Sequence, residues 1–353
     1  MATTAVGLDI GSNAVRAAQV SLGGRGPATL ERLGQVLLPP GAVRDGEIVE
    51  ADAVVQALST LWSRYGFKGR KVTLGLANQQ VVVRQIELPY LPEAELRQSL
   101  PFQVQDAIPI PVEQAILDFH TLEHYETDDG QRVSRLLLVA AQRAMVESML
   151  DVVRRARLDP AGVDLDAFAM LRSLAPQGSL EGRDGELLID IGAAVTNIVV
   201  HDGGVPRFVR ILLMGGNAIT EALVSALGLS YEAAEETKLR IGMADEFGFG
   251  PEQEAGRLIT ERATRFVDEI RGSLDYYNAQ SDSVAVRRVV VSGGASQLLN
   301  LRERLSEALR LPVDRGHPMQ ELKIGKVGVD ADQLVEAEPY LAVAVGLALG
   351  AGQ

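Results

Sequence analysis

The stretch Ala5-Val6-Gly7-Leu8-Asp9-Ile10-Gly11-Ser12-Asn13-Ala14-Val15-Arg16-Ala17-Ala18-Gln19-Val20 reads as an apolar strand, a tight glycine turn and a second strand. Asp9 needs a reason, because it is a carboxylate at the end of a strand otherwise built for burial. Gly11 lets the backbone turn sharply and approach a ligand, so the main-chain N–H groups of Ser12 and Asn13 can face a phosphate. Asp9 would repel that phosphate unless a divalent cation lay between them, which predicts Mg²⁺ held largely through water. Taken alone, the segment reads equally as an ordinary hairpin with a solvated Asp, since Asp-x-Gly is a short motif.

Further along, Leu187-Leu188-Ile189-Asp190-Ile191-Gly192-Ala193-Ala194-Val195-Thr196-Asn197-Ile198-Val199-Val200 repeats the device. Two such hairpins predict a duplicated architecture whose halves face each other across a nucleotide. A third element, Arg288-Val289-Val290-Val291-Ser292-Gly293-Gly294-Ala295-Ser296, is a buried-type strand running into a Gly-Gly turn. The helical spacing of Leu298, Leu301, Leu305 and Leu309 follows it. A Gly-Gly surface without side chains suits close contact with a purine or ribose.

In this order the three elements resemble the phosphate-1, phosphate-2 and adenosine motifs of the actin-like ATPase superfamily, which includes actin, DnaK-type chaperones, sugar kinases, MreB and FtsA. The resemblance implies an α/β, actin-like (ribonuclease H-like) fold of two domains around a nucleotide cleft, with ATP and Mg²⁺ as cofactors. It sets Asp9 and Asp190 at the metal. The cofactor-binding set is Gly11, Ser12, Asn13, Arg16, Gly192, Thr196, Asn197, Gly293, Gly294 and Ala295. Gly215, Gly216 and Asn217 join it, where a strand over 205–213 opens into a helix whose N–H groups are placed for an anion.

Composition bounds the rest. With 353 residues, 46% of them hydrophobic, the chain can bury the cores of two domains. Its net charge of −13, without a long basic run, disfavours nucleic acid and anionic lipid as direct partners. No cysteine is present, so disulfides and thiolate metal sites are excluded. His120 and His124 stand four apart in a segment that alternates like a strand, which argues against a zinc pair. The amino terminus shows no signal-peptide pattern, and no stretch has the roughly 18 apolar residues of a spanning helix, so a cytoplasmic location is expected.

Along the chain, a strand over 29–38 stops at Pro39-Pro40-Gly41, and Asp52 is placed to cap a helix burying Val54, Leu58, Leu61, Trp62 and Tyr65. Strands follow over 71–76 and 81–88. Residues 88–160 change texture: a helix from Glu93 containing Pro101, the run Ile108-Pro109-Ile110-Pro111, two strands turning at Asp128-Asp129-Gly130, and a helix over 143–157. Residues 175–185 form a polar, Gly-rich crossing, helices are expected over 231–239 and 252–280 around a Gly/Phe-rich loop at 242–250, and a small-residue helix over 339–349 closes the chain. The expected division is 1–87 and 161–180 with 339–353 as domain I, 88–160 as an inserted subdomain, and 181–338 as domain II with a peripheral lobe at 219–286.

Ala234-Glu235-Glu236-Thr237-Lys238-Leu239-Arg240-Ile241-Gly242 is similar to the Ala-Glu-x-x-Lys-x-x-Ile-Gly helix of MreB and its bacterial relatives, which implies ribose and adenine contacts for Glu235 and Lys238. Read only as chemistry, the pair is also an i,i+3 ion pair on a solvated helix face. The inserted layout, with Leu88-Pro89, an acidic helix and Ala107-Ile108-Pro109-Ile110-Pro111, resembles the type IV pilus assembly protein PilM family over essentially the whole chain. Asp45-Gly46-Glu47-Ile48 and the terminal helix share in that likeness. FtsA chains share the layout but carry a C-terminal membrane helix, whereas this sequence ends Gly-Leu-Ala-Leu-Gly-Ala-Gly-Gln.

The resemblance implies an ATP-binding scaffold of a type IV pilus or related secretion machine, at the inner face of the plasma membrane. It would clasp the cytoplasmic N-terminal peptide of a PilN-like single-pass inner-membrane protein between domain I and the inserted subdomain. It leaves room for pilus motor ATPases as further partners, and expects no direct membrane binding. The edge around Ile108 to Ile110 is one place for the peptide, or a turn packed on its own lobe. Asp166, in Val163-Asp164-Leu165-Asp166-Ala167-Phe168-Ala169, aligns with the water-polarising Glu of MreB-like and DnaK-like chains and is the catalytic candidate. One methylene shorter, it predicts slow turnover, because positioning is the main lever in phosphoryl transfer. An FtsA-like filament protein and a small-molecule kinase of the same fold are the alternatives.

Overall fold

Each Asp-Ile-Gly hairpin lies inside its own sheet, since strands as apolar as those carrying Leu8 or Leu188 and Ile189, all fully buried, need neighbours on both sides. The computed structural model describes residues 3–23, 26–175, 184–243 and 250–351. The chain begins with β1 (Thr3–Ile10), β2 (Ala14–Leu22), β3 (Thr29–Leu37), the short pair β4 (Val43–Arg44) and β5 (Glu47–Ile48), α1 (Ala51–Tyr65) and β6 (Lys71–Leu76). It continues through β7 (Val81–Pro89), α2 (Glu93–Gln103), β8 (Ala115–Glu126), β9 (Arg132–Gln142), α3 (Arg143–Arg155), β10 (Asp159–Leu165) and α4 (Asp166–Leu174). Then come β11 (Gly185–Ile191), β12 (Thr196–Asp202), β13 (Val205–Leu212), α5 (Asn217–Leu227), α6 (Tyr231–Ile241), α7 (Pro251–Asn278) and β14 (Val286–Ser292). Last are α8 (Leu301–Leu309), β15 (Val313–Arg315), β16 (Lys323–Ile324), α9 (Ala331–Ala337) and α10 (Ala342–Gly350).

The duplication is explicit in the strand order. One sheet reads β3-β2-β1-β6-β10, with β16 outside β3, and the other reads β13-β12-β11-β14-β15. In each, three antiparallel strands are extended by two parallel ones beside the first. Asp9 and Asp190 therefore stand at equivalent positions of two like sheets. Helix α10 is buried from Ala342 to Ala348. A Cβ on Gly7 would overlap Ala344 O and one on Gly346 would overlap Ala169 O, so these glycines let α10 lie directly between β1 and α4.

A third sheet, β7-β9-β8, carries α2 through a core of Leu96, Leu100, Phe119, Leu136 and Leu138. Strand β7, which the sequence places at the end of domain I, pairs with β9 from Val81 to Pro89. Conversely, α3 lies in the inserted stretch but buries Val146, Met149, Val152 and Val153 in the core that holds Leu58 and Leu61 of α1. Pairing and amphipathic faces, rather than loop texture, decide where these two elements sit.

Several ends differ from expectation. The first residue of α1 is Ala51, with Glu50 at the cap and no side-chain cap bond, so Asp52 lies in the first turn, where a negative charge suits the helix dipole. Helix α3 stops at Arg155, and Pro339 falls in a 3-10 turn (Glu338–Tyr340) ahead of α10 rather than in the helix. Most of the crossing at 175–185 and of the loop at 242–250 lies outside the described residues. His124 hydrogen-bonds Ser134 Oγ at 2.9 Å and His120 faces the Phe168 ring, and no metal-holding group of His, Asp or Glu exists among the described residues. No described helix is long and apolar enough to cross a membrane.

Candidate functional site

Between the two sheets lies a cavity of about 910 Å³. It gathers Asp9, Gly11, Ser12, Asn13 and Arg16 from the first hairpin with Asp190, Gly192 and Asn197 from the second. Gly215, Gly216, Asn217, Glu235 and Lys238 also line it, as do Gly293, Gly294, Ala295 and Asp166. Thr196 is the one sequence-predicted residue that does not line it: its buried hydroxyl donates to Met214 O at 2.8 Å and holds the segment leading to Gly215.

The two turns are built alike. Gly11 N–H donates to Ala14 O and Gly192 N–H to Val195 O, both at 3.0 Å. The Gly215-Gly216-Asn217 segment departs from the expectation that its N–H groups are free for an anion. Gly216 N–H donates to Gly192 O at 3.1 Å and Asn217 N–H to Ala193 O at 2.7 Å, so this loop is laid on the second hairpin. A Cβ on Gly215 would collide with those same carbonyls. The Gly-Gly turn is also less open than a bare purine platform: Gly293, at φ 85°, leaves room for Ile191 O, and Gly294 abuts the Tyr340 ring.

Three carboxylates converge with one cation. Asp9 meets Arg16 Nη1 at 3.4 Å, while Arg16 Nε donates to Gln35 at 2.7 Å and its guanidinium lies 5.3 Å from the centroid of the Tyr340 ring. Asp190 Oδ1 accepts from Ser292 Oγ at 2.7 Å. Asp166 Oδ1 is buried with no hydrogen-bond partner, in space that exists because residue 75 is glycine. Burial raises the Asp9 pKa against the pull of Arg16. Burial, reinforced by the charges of Asp9, Asp190 and Asp164, lifts Asp166 well above its usual range. Burial also brings Asp190 to about 6 despite the Ser292 hydrogen bond. Carboxylates buried together and short of positive charge attract a cation. Since no metal-holding set of side chains exists among the described residues, a divalent ion here would complete its shell with phosphate oxygens and water.

Glu235 and Lys238 form a closed knot. Lys238, 5% exposed, donates to Glu235 at 2.7 Å, to Thr220 Oγ1 at 3.0 Å and to Gly216 O at 3.3 Å, and Thr220 Oγ1 lies 2.6 Å from Glu235. With all three donors used, Lys238 braces the glycine loop. Lys238→Ala should cost about 1–3 kcal/mol of stability, because it takes the buried cation away from the Glu235 carboxylate and leaves that carboxylate only the Thr220 hydroxyl. Urea unfolding of the nucleotide-free protein checks this; an unchanged midpoint would show the knot to be incidental.

Two tyrosines and one pairing escaped the sequence reading. Tyr231, at the start of α6, donates to Asn217 Oδ1 at 2.8 Å. Asn217 and Asn13, from opposite halves, exchange amide hydrogen bonds of 2.9 and 3.1 Å. Tyr340 covers Gly294 and Arg16. The tyrosines stand outside any motif; the only signal was their position beside helix starts that face the cleft. The cavity also extends between β4–β5 and α3, where Leu37, Pro40, Ile48, Met145 and Met149 give it an apolar arm.

The profile of the family described as type IV pilus assembly protein PilM matches residues 7–351. A chain in the structure of the PilM-PilN type IV pilus biogenesis complex is 28% identical, with a TM-score of 0.86 over 99% of this chain and 98% of that one. The cell division protein FtsA of Neisseria meningitidis serogroup B is 25% identical over 89% of this chain and 83% of its own. FtsA of Pseudomonas aeruginosa is 23% identical over 89% and 82%. MreB5 of Spiroplasma citri bound to ADP shares the fold at 13% identity and a TM-score of 0.55, over 98% and 94% of the chains.

Proposed function

The chain belongs to the type IV pilus assembly protein PilM family, and on that footing we propose that it is an ATP-binding, actin-like scaffold of a pilus or related secretion machine. In this reading it grips the cytoplasmic N-terminal peptide of a PilN-like protein, which holds it at the inner face of the membrane. The observation that carries the proposal is the continuity of one cavity, from the Asp9–Asp166–Asp190 cluster through the cleft into the apolar arm beside α3. A nucleotide fits the charged part and an extended apolar peptide fits the arm. Both touch elements of domain I, so one can stabilise the arrangement that binds the other.

Mg²⁺, when bound, would supply the positive charge that lets a triphosphate approach these carboxylates. Asp9 and Asp190 are the residues to hold it, from the ends of equivalent strands. Asp166 is the residue to orient an attacking water. Burial and its acidic neighbours hold it toward the neutral form, and its side chain is short, which together favour slow turnover. Titration calorimetry with ATP tests the nucleotide half: binding should require Mg²⁺ and fade in EDTA. Equal affinity in both buffers would overturn the assignment of the carboxylates.

A further inference from the structure

A second cavity, of about 760 Å³, lies where the two halves of the molecule are joined. Ala175, at the end of α4, borders it on one side of the first crossing. Residues 316–322, the second crossing, border it as they pass from β15 in one sheet to β16 in the other. Its lining is unusual for a chain of net charge −13, because it includes Arg172, Arg288, Arg302 and Arg315.

Two of these arginines are committed. Arg172 pairs with Asp164 and donates to Gly346 O at 3.1 Å, and Arg288 pairs with buried Glu186 at 2.6 Å and approaches Asp314 at 3.8 Å. The other two are available. Among the described residues, Arg302 reaches only its chain neighbour Glu303, at 3.3 Å, and Arg315 has no partner. His317 is engaged by Glu338 at 3.2 Å, and Glu321, the remaining acidic residue of the lining, is exposed. Free guanidiniums in a cavity are the groups that recognise phosphate oxygens, which they bind through paired N–H donors.

The cavity is also mechanically connected to the cleft. Helix α4 has Asp166 in the cleft at one end and Leu174 in the second cavity at the other, and α10 likewise runs from Val343 to Leu349. Arg172 ties these two rods together through Gly346 O. Each spans roughly 10–13 Å at 1.5 Å per residue, short and tightly packed enough to move as a unit.

We propose that this joint cavity binds a small phosphorylated anion through Arg302 and Arg315, and that occupancy is felt in the nucleotide cleft through α4 and α10. The coupling half rests on the nucleotide reading above; the binding half does not.

The test is calorimetric titration with inorganic pyrophosphate in EDTA, where the metal-free carboxylates keep the anion out of the cleft. The parent chain should bind it. Arg302→Ala/Arg315→Ala, shown folded by circular dichroism, should lose affinity on the order of tenfold or more. Arg315→Lys, which keeps the charge but not the fork, should fall between them and guards against a folding defect in the double variant. In Mg²⁺, pyrophosphate and ADP should change each other's affinity by one common factor. Absence of pyrophosphate binding to the parent, or binding unmoved by the arginine changes, overturns the site. Binding of an acidic peptide there without pyrophosphate overturns the ligand class. Arginine-dependent pyrophosphate binding in a protein that fails to bind ATP would leave the site standing while the nucleotide reading falls.

Discussion

At pH 7.5, without metal or nucleotide, Asp190→Asn should be more stable than the parent chain, by about 2–3 kcal/mol, and the difference should shrink as the pH is lowered toward 4. The sign follows from linkage. The Asp190 pKa is raised from 3.8 to about 6 in the folded protein, so between those values the folded state holds more protons than the unfolded one. Stability is then full below 3.8 and is lost as pH rises through about 6. Asparagine keeps the shape, and its oxygen can accept the Ser292 hydrogen bond, while removing the buried charge. The same change should abolish stabilisation by Mg²⁺-ATP, which the parent shows because the cation answers the carboxylates. Melting curves across this pH range, with and without Mg²⁺-ATP, give both results. A variant less stable than the parent at every pH would mean that the Asp190 charge is satisfied within the protein and has no use for a cation.

Nucleotide release should be faster by roughly tenfold in Asn13→Ala and in Asn217→Ala, the scale of one or two hydrogen bonds across the mouth of the cleft. The informative case is the double variant. Each amide has the other as its partner across the two halves, so once one is gone the second has little left to lose, and the double variant should release nucleotide about as fast as either single one. Tyr231→Phe removes only the donor that orients Asn217 and should give a smaller effect. Stopped-flow displacement of a fluorescent ADP measures all four. Multiplying effects in the double variant would show that each Asn makes its own contact with the nucleotide.

The two hairpins were legible because a carboxylate between an apolar strand and a glycine breaks the rule for buried strands, and does so twice at matching places. Their pairing into like sheets followed. What was not legible depends on meetings between distant segments. Asn13 and Asn217 are 204 residues apart and neither carries a pattern that names the other. Lys238 matched a helix motif, but that its three donors end on Glu235, Thr220 and Gly216 is a property of how α5 and α6 pack. Gly215 suggested an anion-facing turn and Gly294 a bare platform; in the fold they are small because Ala193 and Tyr340 need the space. Net charge was the bluntest instrument, since an average of −13 conceals a cavity with four arginines in its lining.

The central claim is that one continuous cavity serves a nucleotide and a partner peptide, and fluorescence anisotropy of a labelled PilN-type N-terminal peptide, titrated with the protein in the presence and absence of Mg²⁺-ATP, tests it most directly. The account predicts tighter binding with Mg²⁺-ATP, a matching gain in ATP affinity when the peptide is saturating, and loss of peptide binding in Met145→Asp, which puts a charge in the apolar arm beside α3. Peptide affinity that is the same with and without Mg²⁺-ATP, and unchanged in a folded Met145→Asp protein, would contradict it.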